Sequence, residues 1–392
     1  MKIGYLCIDP GIPVFGRKGC STHVRETCRA LKSAGNEVFL ITTNKGEDDC
    51  EIDGIKIYEI PPLTSKILGN DVRLFINSMR TMNSLKEIIQ KEKPDALYER
   101  HSLYNFAGTR ISQKYHLPRI LESNTFLVVE QENRVHFPFI AAKFENYAIR
   151  KAPHIIVVSH PLKNAYINMG IPADKVSIMP MAVDIERFNP EITGEDVRKK
   201  YNLDNTTIVG YVGTLTGWHG IDLILDCAET TKKFGKNISY IVVGGHDKKV
   251  DLFKDKVQER GLEAIVVFTG SVPYTEIPKY IAAMDITLVP NSTEWASPTK
   301  IFEYQAMSKP IVAPSLVPVR EVIKDSKEGL LFELKNTNEM AEKIIYLHDH
   351  PEIRKEMGIS GRKRVVANHS WEVNTSRIVD IFQKMLDGEL PY

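Results

Sequence analysis

Twice in this chain, an apolar run of strand length ends in a glycine-punctuated loop, passes into a helix with one apolar face, and returns to a second strand. The first copy runs from Ile3 to Ile8, through Gly11, Gly16 and Gly19, into Val24, Thr27, Cys28 and Leu31 at helical spacing. Gly35 stands where a helix ends, and Val38 to Ile41 is the return strand. The second copy runs from Thr207 to Val212, through Gly213, into Ile221, Ile224, Leu225 and Ala228, past Gly235, to Ile238 to Val243. Strands joined by a crossover helix lie parallel, and a parallel sheet needs helices on both faces. The chain is therefore expected to be α/β, with two doubly wound, Rossmann-like domains. Further strands are predicted at 264–268, 285–289 and 310–313. The polar stretch Asn189 to Asn205 has no periodicity before Val197, which places a domain boundary there: 1–188 and 189–370. Ile378, Ile381, Phe382 and Met385 mark a final helix over Trp371 to Leu386.

The balance of charge excludes one large class of function. Lys and Arg number 51 and Asp and Glu 50, a net charge of +1, without the basic excess of nucleic-acid binders. Five cysteines, Cys7, Cys20, Cys28, Cys50 and Cys227, form no C-x-x-C pair, so neither a zinc site nor a disulfide framework is expected. The apolar run at Ile3 to Ile8 is shorter than a signal sequence requires, and no stretch approaches the roughly 20 residues of a membrane helix. The expected location is cytoplasmic.

Ligands of open α/β sheets sit beyond the carboxyl ends of the strands, so the loops there carry the functional reading. In the loop 290–300, Ser297 is placed as an N-cap and Pro298 as the first residue of a helix reaching about Met307. Its N-terminus offers N–H groups and a dipole to an anion, and Lys300 adds a full charge. Glu303, one turn on, suits two neighbouring hydroxyls as a double acceptor. Phosphate plus sugar means a nucleotide; the competing reading is a capped surface helix with a solvated Lys–Glu pair. The segment Gly213 to Gly220 lets backbone approach a bulky anion, and His219 there either donates to a phosphate or only packs. Arg17, Lys18 and Gly19 precede a helix start at Ser21-Thr22, which makes a second anion site or a flexible basic loop. No D-x-D loop, H-E-x-x-H or G-x-S-x-G is present, so no metal ligands are predicted. A leaving diphosphate would rest on Lys300, His219, the helix N-terminus and Arg17 or Lys18.

Ser297-Pro298-Thr299-Lys300-Ile301-Phe302-Glu303-Tyr304-Gln305-Ala306-Met307, followed by Lys309 to Ala313, resembles the donor-binding element of retaining glycosyltransferases of family 4, which have the GT-B fold. Gly210 to Gly213 resembles the strand entering that family's donor site, and Phe268 to Val272 its base-binding turn. Val157-Val158-Ser159, and Met179 to Asp184 with Phe188, resemble its approach to the interdomain linker; Ser370-Trp371-Glu372 resembles the start of its last helix. The resemblance implies two Rossmann-like domains facing across a cleft, with residues 371–392 crossing back to the N-terminal one. It implies a nucleotide-sugar donor, UDP- or GDP-linked, with no other cofactor. It assigns donor binding to Gly19, Gly213, Thr214, Val272, Ser297, Pro298, Thr299, Lys300 and Glu303, and catalysis to Lys300 and His219. The acceptor, a carbohydrate, lipid-linked or small molecule, is expected on the N-terminal side near Arg17, Lys18, Arg100, Glu122 and Asn124. Four positions depart from the family: Trp295 replaces the first of two glutamates, Thr214 and His219 replace an Arg and a Lys, and Asn124 replaces a histidine; Tyr98-Glu99-Arg100 likewise lacks the family's usual histidines. A sugar-nucleotide epimerase, a dinucleotide oxidoreductase and a non-catalytic binding subunit are the competing functions. The oxidoreductase lacks its glycine fingerprint.

Residues 134–175 carry Arg134, Lys143, Arg150, Lys151, Lys163 and Lys175 against Glu145 and Asp174. Within 139–151, Ile140, Phe144 and Tyr147 form one apolar stripe. A basic amphipathic helix is a candidate for peripheral contact with the inner face of a membrane; the alternative is that the stripe packs on the N-terminal sheet.

Overall fold

A computed structural model of the chain describes residues 1–16, 18–46, 51–64, 69–132 and 135–391; Arg17, Cys50 and Arg134 lie outside them. The chain divides into two compact units, Met1–Pro180 with Trp371–Tyr392, and Met181–Ser370.

The first unit holds strands β1 (Lys2–Cys7), β2 (Glu37–Thr42), β3 (Lys56–Glu59), β4 (Ala96–Arg100), β5 (Arg119–Ser123), β6 (His154–Val157) and β7 (Val176–Ile178). They form one parallel sheet in the order β3-β2-β1-β4-β5-β6-β7. The second unit holds β8 (Thr207–Val212), β9 (Ile238–Val243), β10 (Val266–Gly270), β11 (Ile286–Leu288), β12 (Ile311–Pro314) and β13 (Gly329–Phe332), parallel in the order β10-β9-β8-β11-β12-β13. In each sheet the order reverses once, between β1 and β4 and between β8 and β11. At such a switch point the flanking helices diverge and leave a crevice beyond the strand ends.

Both faces of each sheet are covered. Along β8, Ile208 and Val212 enter one core while Val209 and Tyr211 enter the other. Gly210 between them is forced by packing: a Cβ there would lie 2.0 Å from Met284 Sδ. The second unit begins at Met181, not at 189, because Val183 and Phe188 are buried in its core. Arg362 fastens that segment by donating to the carbonyls of Ile185 at 3.2 Å and Phe188 at 2.6 Å. Helix Trp371–Leu386 returns to the first unit, where Ile378, Ile381, Phe382 and Met385 pack with Ile3, Tyr5, Val24 and Leu31.

Helix Pro138–Arg150 forms where the periodicity predicts, but a different face is inward. Its buried residues are Ala141, Glu145, Ala148 and Ile149, while Ile140 is exposed. The cause is Glu145, whose carboxylate accepts the backbone N–H groups of Leu127 at 2.7 Å and Val128 at 3.4 Å. Of the expected stripe, Phe144 does turn inward, against the rings of Phe75, Tyr104 and Phe106. No helix of the described residues is long and apolar enough to cross a membrane.

Candidate functional site

In the second unit, the carboxyl ends of β8 and β11 bring two segments together. The first leaves β8 through Gly213, a 3-10 turn at Gly217–His219, and helix Ile221–Lys233. The second leaves β11 and enters helix Thr299–Ala306. Tyr304 ties them, because its hydroxyl accepts the Val212 N–H at 2.8 Å. Asn291 adds a second tie by donating to the Trp218 carbonyl at 2.9 Å.

The helix start differs from the expected one. Pro298, with extended backbone, holds the N-cap position, and no side chain caps the helix. Ser297 is buried, and its hydroxyl instead accepts the Met181 N–H at 3.2 Å. Thr299 is thus the first helical residue, and the N–H groups of the first turn lack a side-chain acceptor.

Lys300 lies in that turn. Its ammonium stands 5.2 Å over the ring of Tyr211, and its Cε would be 3.3 Å from a Cβ at Gly213. Gly213 has φ +154°, and the same Cβ would meet the Tyr211 hydroxyl at 2.6 Å, so only glycine fits. Burial pushes the Lys300 ammonium down to about 8, against the attraction of Glu303. Burial pushes the Glu303 carboxyl up to about 7, against the Tyr274 hydroxyl that donates to it at 3.1 Å and the charges of Lys300 and Arg187. Arg187 lies over the ring of Tyr274. His219 is buried beside Trp218, ring centroids 3.6 Å apart. Its imidazole is pushed down to about 3 by burial and by Lys300, so it is neutral at physiological pH and can only donate or accept a hydrogen bond. Thr214 is exposed, and its carbonyl accepts the Tyr211 hydroxyl. Val272 is half-buried just after β10. Glu294 is exposed and Trp295 half-buried.

In the first unit, Arg100 at the end of β4 and Glu122 on β5 meet Asn124 and His23. On Glu122 Oε1 converge His23 Nε2 at 2.5 Å, Asn124 Nδ2 at 2.8 Å and Arg100 at 3.4 Å. Burial would raise this carboxyl, but His23, Arg100 and Asn124 bring it down to about 2, so it is a permanent carboxylate. Glu122 Oε2 and Asn124 Oδ1 are buried with no protein partner. The ring of Trp371, from the returning helix, lies tilted beside that of His23, centroids 5.3 Å apart. Lys18 and Gly19 are exposed at the start of helix Gly19–Ser33, which also lacks a side-chain cap. Among the described residues, no group of three or more His, Cys, Asp or Glu could hold a metal ion.

Sequence reasoning passed over His23, Tyr211, Tyr274, Arg187 and Trp371. A histidine one turn into the helix after a glycine loop was a usable signal for His23, and Tyr211 lies two residues before Gly213; Arg187, Tyr274 and Trp371 reach their sites through tertiary packing.

Two family models match. Glycosyl transferases group 1 covers residues 194–364, and Glycosyltransferase Family 4 covers residues 17–187. Alpha-D-kanosaminyltransferase of Streptomyces kanamyceticus is 25% identical over 281 residues, 71% of each chain. Among solved structures, sucrose-phosphate synthase of Thermosynechococcus elongatus superposes with a TM-score of 0.82 at 20% identity, over 99% of this chain and 100% of that one. An Anabaena protein in complex with UDP superposes with a TM-score of 0.77 at 17% identity, over 98% and 100%.

Proposed function

The chain belongs to the group 1, family 4 glycosyltransferases and is a nucleotide-sugar-dependent enzyme, and from that premise we propose that it works with retention and without a metal. In this reading, the second unit takes a UDP- or GDP-linked sugar. Lys300 and the uncapped first turn of helix Thr299–Ala306 hold the diphosphate. Glu303 accepts the ribose hydroxyls, Gly213 lets backbone approach the phosphates, and neutral His219 donates one hydrogen bond. Val272 belongs to the turn that meets the base. The cluster around Glu122, Asn124 and Arg100 recognises acceptor hydroxyls; Arg17 and Lys18, which precede the helix carrying His23 in sequence, are the further acceptor-side candidates. The acceptor class is a glycan, a lipid-linked glycan or a small molecule, and a lipid-linked one brings the enzyme to a membrane surface.

The chemistry asks little covalent work of the protein. The bond from the anomeric carbon to the phosphate oxygen breaks, and the acceptor oxygen bonds that carbon on the same face. The acceptor proton passes to the departing phosphate oxygen. Lys300 and the helix dipole stabilise the charge that develops there.

The observation that carries the reading is the Lys300–Glu303 pair on an uncapped helix at the β8/β11 switch point. A thermal-shift series with UDP, GDP and their sugars tests it. A nucleotide at 100 times its dissociation constant should add roughly 2.7 kcal/mol of stability. No shift with any nucleoside diphosphate would refute the donor site.

A further inference from the structure

The stretch that opens the second unit is built around one arginine. Asp184 Oδ1 accepts the N–H of Glu186 at 3.1 Å and that of Arg187 at 2.9 Å, a side-chain turn that sets the backbone there. Asp184 Oδ2 lies 3.3 Å from the Arg187 guanidinium. Arg362, which donates to the Ile185 and Phe188 carbonyls, also donates to the carbonyl of Ala306, the last residue of helix Thr299–Ala306. One guanidinium thus fastens residues 185–188 to the helix that carries Lys300 and Glu303.

Tyr274 rests on this stretch. It opens a 3-10 turn, Tyr274–Glu276, shortly after β10. The ring of the buried Phe188 lies 5.7 Å from its own, and the Arg187 guanidinium stands 5.3 Å over it. With the ring seated in this way, the hydroxyl donates to Glu303 Oε1 at 3.1 Å. A tyrosine hydroxyl usually finds some partner, and packing alone would explain that much. The choice of partner says more. The last torsion of a glutamate is broad, so a carboxylate turns unless something holds it. Burial pushes the Glu303 carboxyl up to about 7, against Tyr274, Lys300 and Arg187. Lys300 shares its helix, while Tyr274 and Arg187 reach it from the turn after β10 and from the opening stretch.

We propose that Tyr274 is a positioning residue of the donor site: its hydroxyl pins one oxygen of Glu303, so that the carboxylate presents its remaining acceptor capacity to the ribose diol of the nucleotide. The inference rests on the donor reading above and adds a residue to it. Tyr274 touches no reacting atom and acts through Glu303 alone. Without the hydroxyl, the carboxylate is free to turn and holds its proton more tightly, and both changes weaken its grip on a diol. Selection of ribose over 2′-deoxyribose therefore depends on a side chain that does not meet the sugar.

Tyr274→Phe is the test, since it keeps the ring, the Phe188 contact and the cation over it and removes one oxygen. The first arm needs no donor. The carboxyl carbon NMR resonance of Glu303, assigned by its loss in Glu303→Ala, should titrate near 7 in the wild type and at higher pH in Tyr274→Phe. The second arm is calorimetry at neutral pH with UDP, GDP and their 2′-deoxy forms. Tyr274→Phe should weaken the ribonucleotide about tenfold and narrow its advantage over the 2′-deoxy form. In the Glu303→Ala background the same change should cost no more than about twofold, because the partner through which it acts is gone. An unmoved titration overturns the proposal whatever the nucleotides do, and so does an equal loss in both backgrounds or no loss in either. A titration that moves while neither UDP nor GDP binds the wild type refutes the donor reading, and the ribose role falls with it.

Discussion

Replacing Lys300 by Met should make the protein more stable and far less active. The folded protein holds this ammonium at about 8, against the ordinary 10.5. The difference, 10.5 − 8, is 2.5 pH units, and at about 1.4 kcal/mol per unit it places a ceiling of roughly 3–4 kcal/mol on the cost of keeping the charge in the donor-free fold. Lys300 is only half-buried, so solvent screening lowers that to about 1–3 kcal/mol. The sign follows from proton binding. Between pH 8 and 10.5 the unfolded chain binds more protons than the native one, so stability rises with pH through that window. Below pH 8 the full penalty is present, and Met, which keeps the stem that packs on Tyr211, removes it. At pH 7 the melting temperature should therefore rise by several degrees. Turnover should fall 10²–10³-fold, about 3–4 kcal/mol of lost stabilisation of the leaving group. Scanning calorimetry and a product assay on the same preparation decide. A lower melting temperature would show that the ammonium is held by favourable contacts; turnover within a few-fold of wild type would remove Lys300 from catalysis.

Three further outcomes are expected. Glu303→Gln should weaken nucleotide binding in calorimetry while leaving the melting temperature unchanged or higher, since at neutral pH the buried carboxyl is already half protonated. Affinity for an intact nucleotide sugar, whose diphosphate does not titrate near neutrality, should be bell-shaped in pH: it rises as Glu303 ionises near 7 and falls as Lys300 loses its proton near 8. Activity should survive EDTA; loss of rate restored by Mg²⁺ or Mn²⁺ would refute metal independence.

How much the sequence disclosed varies from one element to the next. Strands β8 and β9 were readable to the residue, because strands buried on both faces read as largely apolar runs, and here each is stopped by a glycine, Gly213 and Gly244. That Lys300 and Glu303 share one short helix beyond a strand end was readable, because the strand, the loop and the helix follow one another directly in sequence. The cap was misread because Ser297 spends its hydroxyl on Met181, 116 residues earlier, a contact that local patterning does not carry. The inward face of helix Pro138–Arg150 was misread for a related reason. Glu145 looks like a solvated position, yet it satisfies two backbone donors from another segment. The charge state of His219 was equally hidden, since its neutrality comes from burial and from Lys300, 81 residues away in the chain.

The returning helix has a consequence for how the molecule is made. The second unit is one unbroken stretch, Met181–Ser370, and can close its core as it leaves the ribosome. The first unit cannot. Its core includes Phe382 and Met385, which emerge only after the entire second unit has been synthesised. Until then the opening strands, already translated, present an unfinished apolar surface against which Ile378 and Ile381 have yet to dock. A stop codon near residue 371, or a bulky fusion that keeps that helix from docking, would therefore injure the fold at the opposite end of the polypeptide and spare the part made just before it. During synthesis, the segment most exposed to chaperones and proteases is the one translated first.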